Sequence, residues 1–505
     1  MEDASNHQNR LTATRVGIDT SQESVAYMRD DCLICRAEGF GGQSRVEVSA
    51  GDKNIIARLN VVESGTGILS PGYIGLSKVA WERLALEEER EVSVSHPAWV
   101  SSLSHVRRKI FDLPLSQKQF NEIVRDIQAG RYTDVHIASF LTACANRLDI
   151  NEIAYLSRAM VDIGARMTWP DAGIVVDKHC IGGLPGNRTT PILVSIVTAA
   201  GLVMPKTSSR SITSPAGTAD TMEVLTRVDL DMETIRRVVQ EQGGCLAWGG
   251  NANLSPVDDI LIRVEKAMDL DSEGQLVASV MSKKIAAGST HILIDIPVGP
   301  TAKVRSMSAA KALKQVFERV GACLGVVVMP VITDGQQPIG RGIGPVFEAG
   351  DVLAVLQNRE DAPADLRERS IMLAGLVLEM VGRCEAGHGK ALAQQLLTSG
   401  AAWDKFRGIC EAQGGLRSLP PVYFRYPLRA KSSGTVTAID NRKLANLAKL
   451  AGAPNAKSAG IRLLAKVGDR VCSGETLLEI WAETQGELRY AQSYLVQVQD
   501  MIQLE

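Results

Sequence analysis

The stretch "IVVDKHCIGGLPGNRTT" runs from Ile174 to Thr190 and sets the terms for the rest of the chain. A β-branched apolar run stops at the charged triplet Asp177-Lys178-His179. Gly182, Gly183, Pro185 and Gly186 then impose a turn, and Thr189 and Thr190 lead into an apolar segment of helical character. Strand, glycine-rich turn and helix in this order present free backbone N–H groups and a helix N-terminus to an anion. Lys178 adds a full positive charge. A nucleotide P-loop requires Lys and a hydroxyl residue directly after its second glycine. Here Gly186 is followed by Asn187 and Arg188, so a kinase is disfavoured. The competing reading is an ordinary turn whose lysine is solvated.

Working outward, the runs "GIVVD", "GLVMP", "HILIDIPV" and "GVVVMPVIT" read as strands, with helices at 191–200 and 216–225. Such alternation predicts a mainly parallel sheet covered on both faces. Ligands then sit outside the carboxyl ends of the strands. Residues 103–165 change to the helical period. Ser116 and Gln119 suit a capping box, and Phe120, Ile123, Val124 and Ile127 form one face. A second helix starts near Thr133 or Asp134, and a third spans about 151–164. Residues 11–95 are rich in short β-branched runs broken by Gly, Pro and Ser. The tail returns to β character. Its turns are like those of biotinyl and lipoyl carriers, without the Met-Lys-Met that would hold a cofactor. The expected architecture is a multidomain α/β protein with four parts. These are a β-rich N-terminal domain (1–95), a helical bundle domain (96–170 and 255–290), an α/β domain with a mainly parallel sheet (171–254 and 291–420), and a small barrel-like α+β C-terminal domain (421–505).

Composition narrows the function classes. With 45% hydrophobic and 22% charged residues and a formal net charge of −2, the 505-residue chain offers neither a nucleic-acid surface nor a polybasic membrane patch. Only 4% of residues are aromatic, too few for a base-stacking platform. The best apolar stretch, 192–204, is too short to span a bilayer. The nine cysteines are odd in number and thinly spread, which fits a reducing cytoplasm. Cys32 and Cys35 lack a second ligand pair for zinc.

Two more stretches carry chemistry. "PKTSSRSITSPAGTADTMEVL", Pro205 to Leu225, follows a strand with Lys206, Thr207, Ser208, Ser209 and Arg210. Ser214 suits an N-cap with Pro215 after it, and Thr218 and Asp220 fall in the first turn. Hydroxyls with Lys and Arg are the donors an oxyanion needs, although turn chemistry alone also favours them. "LVASVMSKKIAAG", Leu276 to Gly288, reads as a helix with Ser279 and Lys283 on one face. A hydroxyl and an ammonium there suit a heteroaromatic ring, and a solvated face is the alternative.

"KHCIGG", "SSRSITSPAGTAD" with a following Glu223, and "ASVMSKK", in this order, resemble the thymidine phosphorylase family of nucleoside phosphorylases over roughly residues 100–505. The middle motif and the extra N-terminal domain are most similar to the long-chain branch that includes AMP phosphorylases. The resemblance implies a helical domain and an α/β domain with the site in the cleft between them. It also implies a pentosyltransferase that cleaves an N-glycosidic bond with inorganic phosphate as co-substrate, no cofactor or metal, and a cytoplasmic homodimer or larger assembly. The phosphate-side positions carry over to Lys178, Gly183, Ser208 and Thr218. Cys180 stands where the family usually has Ser, a weaker donor.

Base and nucleotide contacts carry over to Ser279 and Lys303 and to the loop Ser209, Arg210, Ser211, Ile212, Thr213 and Ser214. Catalytic positions carry over to Asp271, as proton donor, with His179 and Lys283 beside the base. Asp271 needs a raised pKa for that role, from burial or from a like-charged neighbour such as Asp269. Arg263 lies one register from the arginine of the shorter enzymes and is not assigned. The hydroxyl-rich loop with Lys206, Arg210 and Lys303 favours a nucleoside 5′-monophosphate as substrate, giving ribose 1,5-bisphosphate. The alternatives are thymidine phosphorylase proper and a nucleotide-binding protein without turnover.

Overall fold

The computed structural model describes residues 10–20, 23–40, 45–145, 147–211, 214–250, 254–498 and 500–505. The chain divides into two compact units, 1–147 with 259–270 and 148–258 with 271–505.

In the first unit the β-rich segment takes a specific form. Strands β1 (Arg10–Arg15), β2 (Val25–Arg29), β3 (Arg45–Ala50), β4 (Lys53–Val62), β5 (Tyr73–Leu76) and β6 (Arg90–Ser95) close a barrel in the order β1-β5-β2-β4-β3-β6. Closure leaves no unpaired edge. Alternate residues such as Val46 and Val48 point inward, onto Met28, Ile74 and Val94. Two short helices, α1 (Leu33–Ala37) and α2 (Lys78–Arg83), belong to this part. Helices α3 (Leu103–Ile110), α4 (Gln117–Gln128) and α5 (Asp134–Cys144) follow. The α4 capping box forms as expected, with the Ser116 N–H donating to Gln119 Oε1 at 2.9 Å. At the start of α5 the His136 N–H donates to Thr133 Oγ1 at 3.1 Å.

The second unit opens with α6 (Ile150–Ile163), capped by the Asp149 carboxylate, which accepts the Glu152 N–H at 2.9 Å. Its sheet comprises β7 (Val176–Cys180), β8 (Met204–Ser208), β9 (Gly244–Trp248), β10 (His291–Val298) and β11 (Val327–Asp334). The order is β11-β10-β7 and β8-β9, joined by a parallel bridge between Val175 and Val203. Every pairing is parallel, as the alternation predicts, so the loops after β7, β8 and β10 leave from one edge. The connecting helices are α7 (Thr189–Ala199), α8 (Thr218–Leu225), α9 (Met232–Gln242), α10 (Pro256–Met268), α11 (Glu273–Ala286) and α12 (Met307–Leu324). Within α10 the chain passes into the first unit. All residues of α7 from Thr189 to Thr198 are buried. A helix apolar all round belongs in a core, and each fully buried Ile, Leu or Val there contributes about 1.5–3 kcal/mol. This holds the α7 N-terminus, and the glycine-rich turn attached to it, in one place.

Strand β9, "GCLAW", has no counterpart among the sequence expectations. It has no β-branched residue, and its partner strand, not its own propensity, makes it a strand. After β12 (Gly342–Ile343) come four helices, α13 (Pro345–Leu356), α14 (Ala364–Met380), α15 (Gly389–Thr398) and α16 (Ala401–Ala412), which pack on α7. The C-terminal part departs from the barrel-like expectation. Strands β13 (Phe424–Arg429), β14 (Gly434–Ile439), β15 (Gly460–Leu463), β16 (Arg470–Val471), β17 (Thr476–Ala482) and β18 (Ile502–Leu504) form two separate sheets, β12-β15-β17-β13 and β16-β14-β18. Helices α17 (Asn441–Leu450) and α18 (Gln485–Gln497) complete it. The reason is that β12, from the preceding domain, occupies the edge of β15 that a closed barrel would need. Among the described residues no helix is long and apolar enough to cross a membrane.

Candidate active site

At the end of β7 the chain buries charge. Lys178 is 1% exposed; its Nζ donates to Thr189 Oγ1 at 2.9 Å and lies 3.6 Å from Asp295 Oδ2 on β10. Beneath it, Asp177 receives two ammonium groups, Lys206 Nζ from β8 and Lys284 Nζ from α11, each at 2.9 Å. Lys206 Nζ also donates to the Lys178 carbonyl at 2.9 Å. Burial pushes the Lys206 pKa down to about 7, against the opposing pull of Asp177. Burial alone would raise the Asp177 pKa, but the two ammonium groups lower it on balance. His179 is held well below its ordinary value, first by burial and then by Lys284, Lys206, Lys283 and Lys178. It is a neutral imidazole at pH 7, able to donate one N–H hydrogen bond but not to act as an imidazolium acid. The Cys180 thiol is pushed up to about 12, chiefly by burial, and its Sγ accepts from Asn187 Nδ2 at 3.3 Å.

The loops after three strands meet above this layer. Gly183 has φ +86°, and a Cβ there would fall 2.3 Å from the Lys303 backbone N. Only glycine lets the loop after β7 lie this close to the loop after β10. Arg188, the N-cap of α7, reaches the start of α8, where Nη1 donates to Thr218 Oγ1 at 2.9 Å. The α8 start differs from expectation. Gly217, not Ser214, is the N-cap, because the Asp220 carboxylate gathers both the Gly217 N–H at 2.8 Å and the Ser211 N–H at 2.6 Å. The Ser214 hydroxyl instead donates to the Ala216 carbonyl at 2.8 Å. Ser208 Oγ donates to the Ala247 carbonyl at 3.3 Å.

On α11, Ser279 and Lys283 share a partly exposed face, as their spacing predicts. Lys283 Nζ is held 2.6 Å from Asp258 Oδ2, a buried carboxylate. Asp271 is 63% exposed and pairs with Lys303 at 3.1 Å, the opposite of the buried, like-charged surroundings that an acid role requires. Arg210 is also occupied. It makes a bidentate pair with Glu223, 2.7 Å to each oxygen, and its guanidinium sits 4.9 Å above the Trp248 ring. Glu223 is drawn down to about 2, mainly by this hydrogen-bonded arginine and also by Lys457 at 2.6 Å. Ser209 lies exposed on the same loop. Ile212 and Thr213 lie outside the described residues. Arg263 pairs with Asp134 through contacts of 2.7 and 2.8 Å.

The residues that sequence reasoning missed are mostly the counter-ions. Asp177, Arg188 and Lys284 stand inside or beside the motifs and could have been flagged by adjacency. Asp258, Asp295 and Glu348 carry no local signal, because they reach the site from other elements.

Residues 172–403 match the glycosyl transferase family a/b domain, residues 103–164 the glycosyl transferase family helical bundle domain, and residues 435–500 the pyrimidine nucleoside phosphorylase C-terminal domain. A protein of Acidovorax sp. (strain JS42) named "Putative thymidine phosphorylase 2" is 56% identical over 488 residues, 96% of this chain and 94% of its own. A "Putative thymidine phosphorylase" of Legionella pneumophila (strain Paris) is 55% identical over 493 residues, 97% of this chain and 95% of its own. The crystal structure of anthranilate phosphoribosyltransferase from Thermus thermophilus shares the fold, with a TM-score of 0.51 at 19% identity, over 61% of this chain and 98% of that one. Fold and matches together define a pentosyltransferase of the nucleoside phosphorylase type. The chain belongs to the thymidine phosphorylase family.

Proposed function

We propose that this chain cleaves the N-glycosidic bond of a nucleoside with inorganic phosphate, releasing free base and (deoxy)ribose 1-phosphate. The observation that carries the reading is the convergence of the glycine-rich turn and the α8 N-terminus, tied by Arg188 above the buried Lys178. Phosphate is oriented by Lys178, the loop backbone at Gly183, Ser208 and Thr218. Its oxygen forms a bond to C1′ as the C1′–N bond breaks, and the base nitrogen keeps the electron pair. Lys283, held by Asp258, faces the negative charge that develops on the base, with Ser279 and the neutral His179 as hydrogen-bond donors. Asp271 is the residue that the family resemblance offers as proton source. Its exposed pairing with Lys303 argues against that role, so Asp271→Asn should leave kcat within about threefold of wild type and leave the base to Lys283, Ser279 and His179; a fall of about 100-fold or more would restore Asp271 as the acid.

The 5′-monophosphate preference gives way here to nucleosides. Lys206, Arg210 and Lys303, the cations suggested for a second phosphate, are each paired with a carboxylate at 3.1 Å or closer, whereas Lys178 stands 3.6 Å from Asp295. A 5′-phosphate would have to displace those partners. The test is chromatography of free base after incubation with thymidine, uridine, AMP, CMP or UMP, with and without phosphate. Phosphate-dependent release from nucleosides is expected. Release from monophosphates alone would restore the 5′-phosphate reading, and release from none would point to a nucleotide-binding protein without turnover.

A further inference from the structure

Arg188 is placed as no surface residue would be. Its side chain is 12% exposed at the N-cap of the fully buried α7. Its donors fan out over the two loops that the proposed phosphate site requires. Nη2 donates to the Gly186 carbonyl at 3.1 Å, within the glycine-rich turn. The same nitrogen donates to the Ala216 carbonyl at 3.1 Å, in the loop before α8. Nη1 donates to Thr218 Oγ1 at 2.9 Å. On its far side, Nε lies 2.5 Å from Oε2 of Glu348 on α13, a carboxylate that is 1% exposed. Glu348 is itself fixed. Its Oε2 accepts the Thr221 hydroxyl at 3.1 Å and its Oε1 accepts the Gly344 N–H at 3.1 Å. A planar guanidinium can serve this many acceptors at fixed angles, whereas a lysine ammonium on a flexible stem cannot.

The contact with Thr218 has a chemical consequence. A threonine hydroxyl has one proton and two lone pairs. An arginine can only donate, so Thr218 Oγ1 is the acceptor and its own proton must point elsewhere. Among the described residues, no hydrogen bond takes that proton. The Arg188 contact therefore aims the Thr218 O–H outward from the α8 N-terminus as a donor, the role an oxyanion needs from it.

We infer that Arg188, braced by Glu348, is the positioning residue of the phosphate subsite. It fixes the spacing of the two loops and sets the direction of the Thr218 hydroxyl. The inference rests on the proposed phosphorolysis for its ligand, inorganic phosphate, but its test does not need turnover. Phosphate binding is measured by calorimetry on the full-length wild type and on Arg188→Lys, Arg188→Ala and Glu348→Gln. In parallel, thymidine and uridine phosphorolysis give KM for phosphate, KM for nucleoside and kcat.

Loss of the donated contacts that tie the two loops and orient Thr218 predicts that Arg188→Lys and Arg188→Ala weaken phosphate binding by about 10- to 100-fold or more. The nucleoside KM should stay within about twofold, and added guanidinium ion should restore part of the loss in Arg188→Ala. Glu348→Gln keeps an oxygen acceptor without the charge and should fall between wild type and Arg188→Lys. An unchanged phosphate affinity in Arg188→Lys, or equal rises in both KM values without guanidinium rescue, would overturn the inference while leaving phosphorolysis intact. A wild type that binds phosphate but releases no base would sink the proposed activity, and the binding series would still decide the role of Arg188.

Discussion

Two ion clusters flank the proposed site, and each sets one carboxylate between two cations. Under β7, Asp177 holds Lys206 and Lys284, with all three side chains no more than 5% exposed. Beside α8, Glu223 holds Arg210 and Lys457, with side chains 29–36% exposed. At Lys206 in the buried cluster desolvation outweighs pairing and drives it down to about 7, while its partner Asp177 is still lowered on balance by the two ammonium groups. In the half-exposed cluster, pairing decides, and it draws Glu223 down to about 2 and raises Arg210. Burial thus makes one cation of its cluster, Lys206, proton-labile near neutral pH. Partial exposure leaves Glu223 with Arg210 and Lys457 a charged brace for the hydroxyl-rich loop.

The largest expected effect breaks the buried cluster. Asp177→Asn leaves two ammonium groups in the core without their carboxylate, and removing one member of a buried ion set costs about 3–5 kcal/mol. Urea unfolding at pH 7 should show that loss. The matched change outside, Glu223→Gln, should cost no more than about 1 kcal/mol, because exposed pairs are screened. Equal losses in the two variants would mean that burial is not what separates the clusters.

Next comes Lys178→Met. Lys178 is buried and its ammonium reaches the first residue of α7 at Thr189, and removing one preorganised electrostatic contact typically costs about 10²–10³-fold in rate. The fall should appear in kcat/KM for phosphate, with the fold retained by circular dichroism. Loss of less than about fivefold would remove Lys178 from the phosphate site and return it to the core.

The pH dependence of stability tests the protonation of Lys206. Its folded pKa is lowered to about 7 from an ordinary 10.5, by burial beside Lys284 and against Asp177. Between those values the folded state has lost this proton while the unfolded state keeps it. The unfolded state then binds more protons, so this group's contribution to stability rises with pH from about 7 to 10.5. Lys206→Met should remove that rise, measured as the difference between the two unfolding curves at each pH. A difference that is flat over this window would mean that Lys206 stays charged in the fold.

These tests also show what was legible in the chain itself. The α4 capping box and the Ser279–Lys283 face depend on local spacing and so could be read directly, whereas the apolar runs "GIVVD" and "GLVMP" place β7 and β8 about three residues early: pairing extends the strands through Asp177-Lys178-His179 and Lys206-Thr207-Ser208. The fully parallel sheet followed from alternation. Strand β9 did not, since its pairing with β8 and not its composition makes it a strand. The cations were countable but their occupancy was not. Arg210 and Lys206 looked available for a second phosphate because Glu223 lies 13 residues away along the chain and Asp177 lies 29 away. Glu348, which braces Arg188 from a distant part of the chain, has no sequence signal at all. Sequence shows where charges are, and folding decides which of them remain free.

The smallest expected effect concerns Cys180, the one departure from the family pattern on the phosphate side. If its thiol were a direct phosphate donor, Cys180→Ser should tighten binding, because a hydroxyl donates better than a thiol. The surroundings argue otherwise. Cys180 sits near the buried Asp295, whose charge adds to burial in raising its pKa, and its sulfur accepts from Asn187 Nδ2 at 3.3 Å. The sulfur is thus engaged within the glycine-rich turn, and a serine oxygen in the same place can accept the same Asn187 N–H. Cys180→Ser should therefore leave phosphate affinity within about twofold, against the roughly two- to tenfold gain that a new neutral hydrogen bond would bring. A gain near tenfold by calorimetry would show that position 180 faces the phosphate directly. The buried layer under β7 would then extend its reach to the ligand itself.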